Sequence, residues 1–239
     1  MSLISLGELT AGTIVRRYKR FLADVELADG RVVVAHCPNT GSMASCWAPG
    51  KRVELSHSDN PKRKLPWTLE RVDMGHGWVG VHTGRANEFI AAAVQAQRIP
   101  TLQGYRQLKR EPRINAPGFA PSRFDLALTQ GNRIDAFVEV KNTTLLRGCA
   151  VQFPDAVTER GRKHLELLLH MVKQKYRAVL VFAINRPEGD YFEPAAEVDP
   201  RYAERLEFVS VQGVEVMAVR LRHTADGIDF GGSAVYHPG

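Results

Sequence analysis

The chain has 239 residues, with 32 Lys and Arg against 26 Asp and Glu, for a formal net charge of +6. Its content of 44% hydrophobic, 24% charged and 8% aromatic residues is that of a globular protein and excludes a disordered or collagen-like chain. The longest apolar run, 178–184, falls well short of the roughly 18 residues of a membrane helix, and the N-terminus lacks the basic start and apolar core of a signal peptide. A cytoplasmic protein without membrane contact is therefore expected. Cys37, Cys46 and Cys149 cannot all pair and none lies in a C-x-x-C, so reduced thiols are expected and structural zinc is not.

From Gly7 to Thr83 the pattern is strands and turns. Leu9 to Tyr18, Phe21 to Leu27, Val32 to Cys37, Val53 to Ser58, Thr68 to Val72 and Trp78 to His82 are short apolar-rich runs. Asp29-Gly30 is a hairpin turn signal. Five or six strands in so short a span predict a small closed barrel of OB type, with an SH3-like barrel as the alternative. Two basic clusters, Arg16, Arg17, Lys19 and Arg20, then Lys62, Arg63 and Lys64, lie beside Tyr18, Phe21 and Trp67. Cations that neutralise phosphate beside rings that stack on bases are what a nucleic-acid groove needs, while a solvated charged face explains each residue singly. The segment 37–43 reads as a structural loop, since it lacks P-loop spacing.

A helix is predicted over Gly84 to Gln97, where Phe89, Ile90 and Val94 share one apolar face. Strands Arg123 to Thr129 and Ile134 to Lys141 follow, joined by a short turn into an antiparallel hairpin. Ala156 to Val172 is a helix capped by Thr158 or Asp155; Arg177 to Ile184 is a buried strand; Pro200 to Val211 is a helix. Val214 to Leu221 reads as the last strand, with a Gly-rich tail from Thr224. The whole is α+β: an OB-like barrel over residues 1–83, then an α/β domain with a mixed central sheet over 84–239.

The chemistry sits on the hairpin. Glu139 and Lys141 share one strand face, and the register of the pair can set Asp125 beside Glu139. Two carboxylates in a small space repel unless a cation separates them, and Mg²⁺ or Mn²⁺ takes such oxygen ligands. The Val140 carbonyl is a further ligand candidate, and Lys141 is placed to stabilise charge on a phosphate. On an exposed strand the same residues make only a cross-strand ion pair. The helix-borne Arg160, Lys163 and His164 share a face and could hold a nucleic-acid strand; Glu159 and Lys163 equally suit a helix-stabilising pair.

This Asp…Glu-x-Lys hairpin between helices resembles the PD-(D/E)XK nuclease superfamily, with Phe124 in place of the proline of that name. The likeness marks Asp125, Glu139 and Lys141 as catalytic candidates and Asp125, Glu139, Val140 and Glu88 as metal ligands. Across a longer span, the segments 17–25, 36–43, 59–64, 122–125, 138–141 and 153–161 resemble the sugar fermentation stimulation protein A family. That resemblance implies an OB-like domain before a PD-(D/E)XK-like one. It also implies DNA binding without sequence specificity and a regulatory link to sugar, notably maltose, metabolism. A Mg²⁺-dependent nuclease is the alternative function.

Overall fold

Strands whose side chains alternate between core and solvent make up the first third. The computed structural model describes residues 2–238. After a two-residue β1 (Ile4–Ser5) come β2 (Leu9–Tyr18), β3 (Leu22–Leu27), β4 (Val32–His36), β5 (Arg52–His57), β6 (Trp67–Asp73) and β7 (Trp78–Gly80). The order β4-β3-β2-β5-β6 closes on itself through parallel pairing of β4 with β6, giving a five-stranded barrel with β7 added beyond β6. Ile14, Val25, Val53, Leu55, Leu69 and Val72 fill the barrel. Cys37, Met43 and Cys46 join them from the loop after β4, which ties that loop to the core. Cys37 and Cys46 are buried free thiols and Cys149 is an exposed one.

The rest of the chain is α1 (Thr83–Gln95), a 3₁₀ turn at Pro100–Leu102, β8 (Gln107–Arg110), β9 (Arg113–Ile114), β10 (Ser122–Arg123), β11 (Leu126–Thr129), β12 (Ala136–Thr143), β13 (Leu145–Arg147), β14 (Ala150–Phe153), α2 (Glu159–Lys173), β15 (Arg177–Ile184), β16 (Tyr191–Pro194), α3 (Pro200–Val211), β17 (Glu215–His223) and β18 (Gly227–Tyr236). The sheet runs β13-β14-β16-β18-β17-β15-β12-β11-β8, and β1 crosses over to pair with β18. Strands β12, β15 and β17 are parallel, whereas β8, β11 and β12 are antiparallel, so the sheet is mixed.

Period-two alternation on β15 sorts its residues between two cores. Val179, Val181 and Ala183 pack with Phe89, Ile90 and Ala93 of α1. Leu180, Phe182 and Ile184 pack with Leu165 and Leu168 of α2 and with Tyr202 and Leu206 of α3. Burial on both faces explains why this strand reads as an unbroken apolar run.

Two expectations need correction, and three short strands were not expected. The last strand is β18, not 214–221. Its glycines lower strand propensity, but the long antiparallel pairing with β17 overrides them. Strands β13, β14 and β16 carry no alternation long enough to stand out. Helix α2 begins at Glu159 because Thr158 stays extended and its side chain accepts from the Gly161 N–H. Asp155 caps nothing there; it turns toward the barrel.

Candidate functional site

Helix α1 lies on one face of the sheet and α2 on the other, and β12 therefore divides its side chains between them. Val138 and Val140 pack on the α1 side. Glu139 and Lys141 face α2. The Lys141 ammonium donates to Glu139 Oε1 at 2.5 Å, and His164 of α2 pairs with the same oxygen through Nδ1. Asp125, just ahead of β11, donates its N–H to the Val138 carbonyl at 3.1 Å, which continues the hairpin register and brings it beside Glu139. Its carboxylate accepts from the Val140 N–H at 2.7 Å and from Asn87 Nδ2 at 2.5 Å.

The two acids differ electrically. Burial and the neighbouring charge of Glu139 push Asp125 up to about 6, against the Val140 N–H, Lys141 and His164. Burial also acts to raise Glu139, but Lys141 and His164 outweigh it and hold Glu139 below the ordinary carboxylate range. Glu139 is only 3% exposed, and its second oxygen, Oε2, is buried with no hydrogen-bond partner. A buried carboxylate oxygen without a donor is costly, and it is the group a hard cation would satisfy. The Val140 carbonyl adds a third oxygen. Odd-numbered positions bond β15, as the Thr143 carbonyl does with the Asn185 N–H. The even-numbered edge faces β11, which begins only at Leu126. No cluster of three or more His, Cys, Asp or Glu side chains suited to a metal occurs among the described residues. The oxygen donors on this side of the cleft are therefore two carboxylates and one backbone carbonyl, fewer side-chain ligands than such a cluster has.

These groups lie in a cavity of about 630 Å³. The barrel supplies one wall, through Arg20 and His36 to Gly41; the start of α1 and the segment from Phe153 to Arg160 supply the rest. The loop 37–43, expected to be merely structural, thus borders the acids. It is held by Met43 N–H donating to Asp155 at 3.0 Å and by Thr83 donating to the Pro38 carbonyl at 2.8 Å. Gly41 is required there, because a Cβ would collide with the Asp155 carboxylate.

The structure gathers some predicted residues here and removes others. Asp125, Glu139, Val140, Lys141, Arg20 and Arg160 line the cavity. His164 touches it through Glu139, and it lines an adjoining cavity with Arg160 and Lys163. Glu88 does not join the acids: it pairs with Arg85 at 2.9 Å, and Asn87, one position earlier on α1, meets Asp125 instead. Adjacent helical positions point about 100° apart, and the packing of Ala86, Phe89, Ile90 and Ala93 sets which one faces the sheet. That apolar face was the available signal for Asn87.

Arg17 is spent on the carbonyls of Arg20, Asn39, Gly41 and Ser42, so it clamps the loop rather than facing solvent. Arg16 pairs with Asp24 at 2.6 Å. Lys163 pairs with Glu159 at 2.8 Å on the exposed face of α2. Lys19 and Arg20 form the β2–β3 turn with φ of 48° and 65°. Lys62, Arg63 and Lys64 are exposed. Arg63 also donates to Thr68 at 2.6 Å, and its charge adds to burial in lowering His36 on the cavity wall.

Comparison with known proteins covers most of the chain. Residues 84–227 match the family profile described as the sugar fermentation stimulation protein RE domain, and residues 15–81 match the SfsA N-terminal OB domain. Sugar fermentation stimulation protein homologues are similar throughout. That of Magnetococcus marinus is 50% identical over 87% of this chain and 88% of its own length. That of Shewanella frigidimarina is 46% identical over 92% and 93%. Among solved structures, Pyrococcus furiosus SfsA in complex with Ca²⁺ superposes with a TM-score of 0.89 at 26% identity, covering 99% of each chain. No helix among the described residues is long and apolar enough to cross a membrane.

Proposed function

The chain belongs to the sugar fermentation stimulation protein family, and we propose that it binds DNA without sequence specificity and hydrolyses phosphodiester bonds in its acidic cleft with Mg²⁺ or Mn²⁺. The observation that carries the reading is the unpartnered, buried Oε2 of Glu139 beside a second carboxylate. A purely structural Glu139 would have donors on both oxygens. The Ca²⁺ bound to the Pyrococcus furiosus relative supports a hard-cation site of this type.

Asp125, Glu139 Oε2 and the Val140 carbonyl would hold the ion. When bound, it would polarise the phosphate and lower the pKa of coordinated water. The chain's own residues supply the rest. Asn87 and the Val140 N–H fix the Asp125 carboxylate. Lys141, held on Glu139, keeps a positive charge where negative charge grows on the phosphate during attack. Arg20 and Arg160 line the same cavity as the acids and are suited to flanking phosphates. The PD-(D/E)XK likeness is this arrangement of Asp125, Glu139 and Lys141 on a hairpin.

The test is incubation of purified protein with plasmid, single-stranded DNA and RNA in Mg²⁺ or Mn²⁺, against EDTA. Metal-dependent cleavage that disappears in Glu139→Gln and Lys141→Ala is expected. Absence of cleavage on every substrate would refute hydrolysis. Binding that fails to weaken as salt rises would refute phosphate recognition.

A further inference from the structure

We infer that the cleft takes a single-stranded polynucleotide, or an unpaired end, and excludes an intact duplex. The inference rests on the phosphodiester reading of the same site and names the form of its substrate.

The acids line a cavity whose walls come from both halves of the chain, and those walls are fastened to one another. Met43 N–H and Ser42 Oγ donate to Asp155 Oδ2 at 3.0 and 3.3 Å. Thr83 holds the Pro38 carbonyl. Further along the same loop, Ser45 Oγ accepts from the Leu146 N–H at 2.9 Å, and the buried guanidinium of Arg186 joins the Ser45 and Thr144 carbonyls at 3.3 and 2.6 Å. Arg17 braces the loop from behind through four carbonyls. Parting the walls would break together the five bonds that cross between them, four of them part-buried.

A cavity of about 630 Å³ with fixed walls has the size of a small-ligand pocket. A duplex is a stiff rod with a persistence length of about 50 nm, and its phosphates ride on a convex surface. It cannot bring one backbone to a carboxylate that is only 3% exposed without moving a wall. A single strand bends freely and can.

Charge and shape extend the path. Arg20 on the barrel wall and Arg160 on α2 have no acidic partner among the described residues, unlike Arg16, Arg85, Arg123, Arg162 and Lys163. Arg160 also borders a second cavity of about 410 Å³, lined by Pro121, Ser122, Arg123, Lys163 and His164. The two cavities meet at this residue. A strand whose phosphate lies over Asp125 and Glu139 would continue past Arg160 into a lining that contains no carboxylate.

The experiment is fluorescence anisotropy in EDTA at low salt, with labelled oligonucleotides of about 20 nucleotides: single-stranded DNA, single-stranded RNA, and a duplex closed at both ends by hairpins. Single strands of either sugar should bind about tenfold or more tightly than the closed duplex. Arg160→Gln and Arg20→Gln, checked for native melting, should each weaken single-strand binding several-fold. Asp155→Ala, which unfastens one wall, should narrow the gap between single strand and duplex. Equal or tighter binding of the closed duplex would overturn the inference while leaving a DNA-binding protein. Failure of every oligonucleotide to bind would overturn the underlying reading as well.

Discussion

Asp199 and Glu139 are both buried acids of the same mixed-sheet region, 2% and 3% exposed, and they are treated in opposite ways. Asp199 accepts from the N–H groups of Tyr202 and Thr158 and receives Arg162 on both oxygens. It caps α3, steadies the start of α2 and leaves no lone pair idle. Glu70, on β6 of the barrel, likewise has donors on both oxygens, from Ser56 and a two-pronged Arg85. In the cleft, Glu139 keeps one oxygen without a donor, and Asp125 carries a raised pKa. The acids that hold the fold together have donors on both oxygens, whereas Glu139 leaves Oε2 without one and Asp125, bonded on both oxygens, is the acid whose ionised form burial disfavours.

The largest test of this contrast is Asp199→Ala. It removes a helix cap and strands a partly buried Arg162, so stability should fall by about 3–5 kcal/mol in urea unfolding. A loss under 1 kcal/mol would remove the distinction.

Asp125→Asn should do the reverse. The folded state raises this acid from an ordinary 3.8 to about 6. Folding therefore disfavours its ionised form, a penalty absent below pH 4 and complete above pH 6. In EDTA at pH 7.5 the variant should be more stable than the parent by about 1–3 kcal/mol, with the gain vanishing near pH 4. A destabilised variant at neutral pH would show that Asp125 is a structural acid like Asp199.

Much of this arrangement was legible in the sequence, where local physics decides. The Asp29-Gly30 turn and the alternating runs around it announce the barrel. The strand period of two put Glu139 and Lys141 on one face, and the hairpin register brought Asp125 to them. What escaped depends on contacts distant in sequence. The loop 37–43 becomes a cavity wall only because Asp155, more than a hundred residues later, accepts its N–H. The choice of Asn87 over Glu88 depends on how α1 is rotated against the sheet. The glycines of β18 conceal a strand that β17 imposes.

Smaller effects sharpen the picture. Gly41→Ala would drive a methyl into the Asp155 carboxylate, so it should weaken DNA binding several-fold while costing about 1–2 kcal/mol of stability. Lys163→Ala breaks only an exposed pair with Glu159 and should leave the melting temperature unchanged; a measurable drop would mean that the exposed face of α2 contributes to the fold.

The most direct test is calorimetric titration of Mn²⁺ into the protein without nucleic acid. One ion per chain should bind, and binding should be lost in both Glu139→Gln and Asp125→Asn while Asn87, Lys141 and His164 remain in place. No binding by the parent, or binding that survives both substitutions, would contradict a cation site at these two carboxylates.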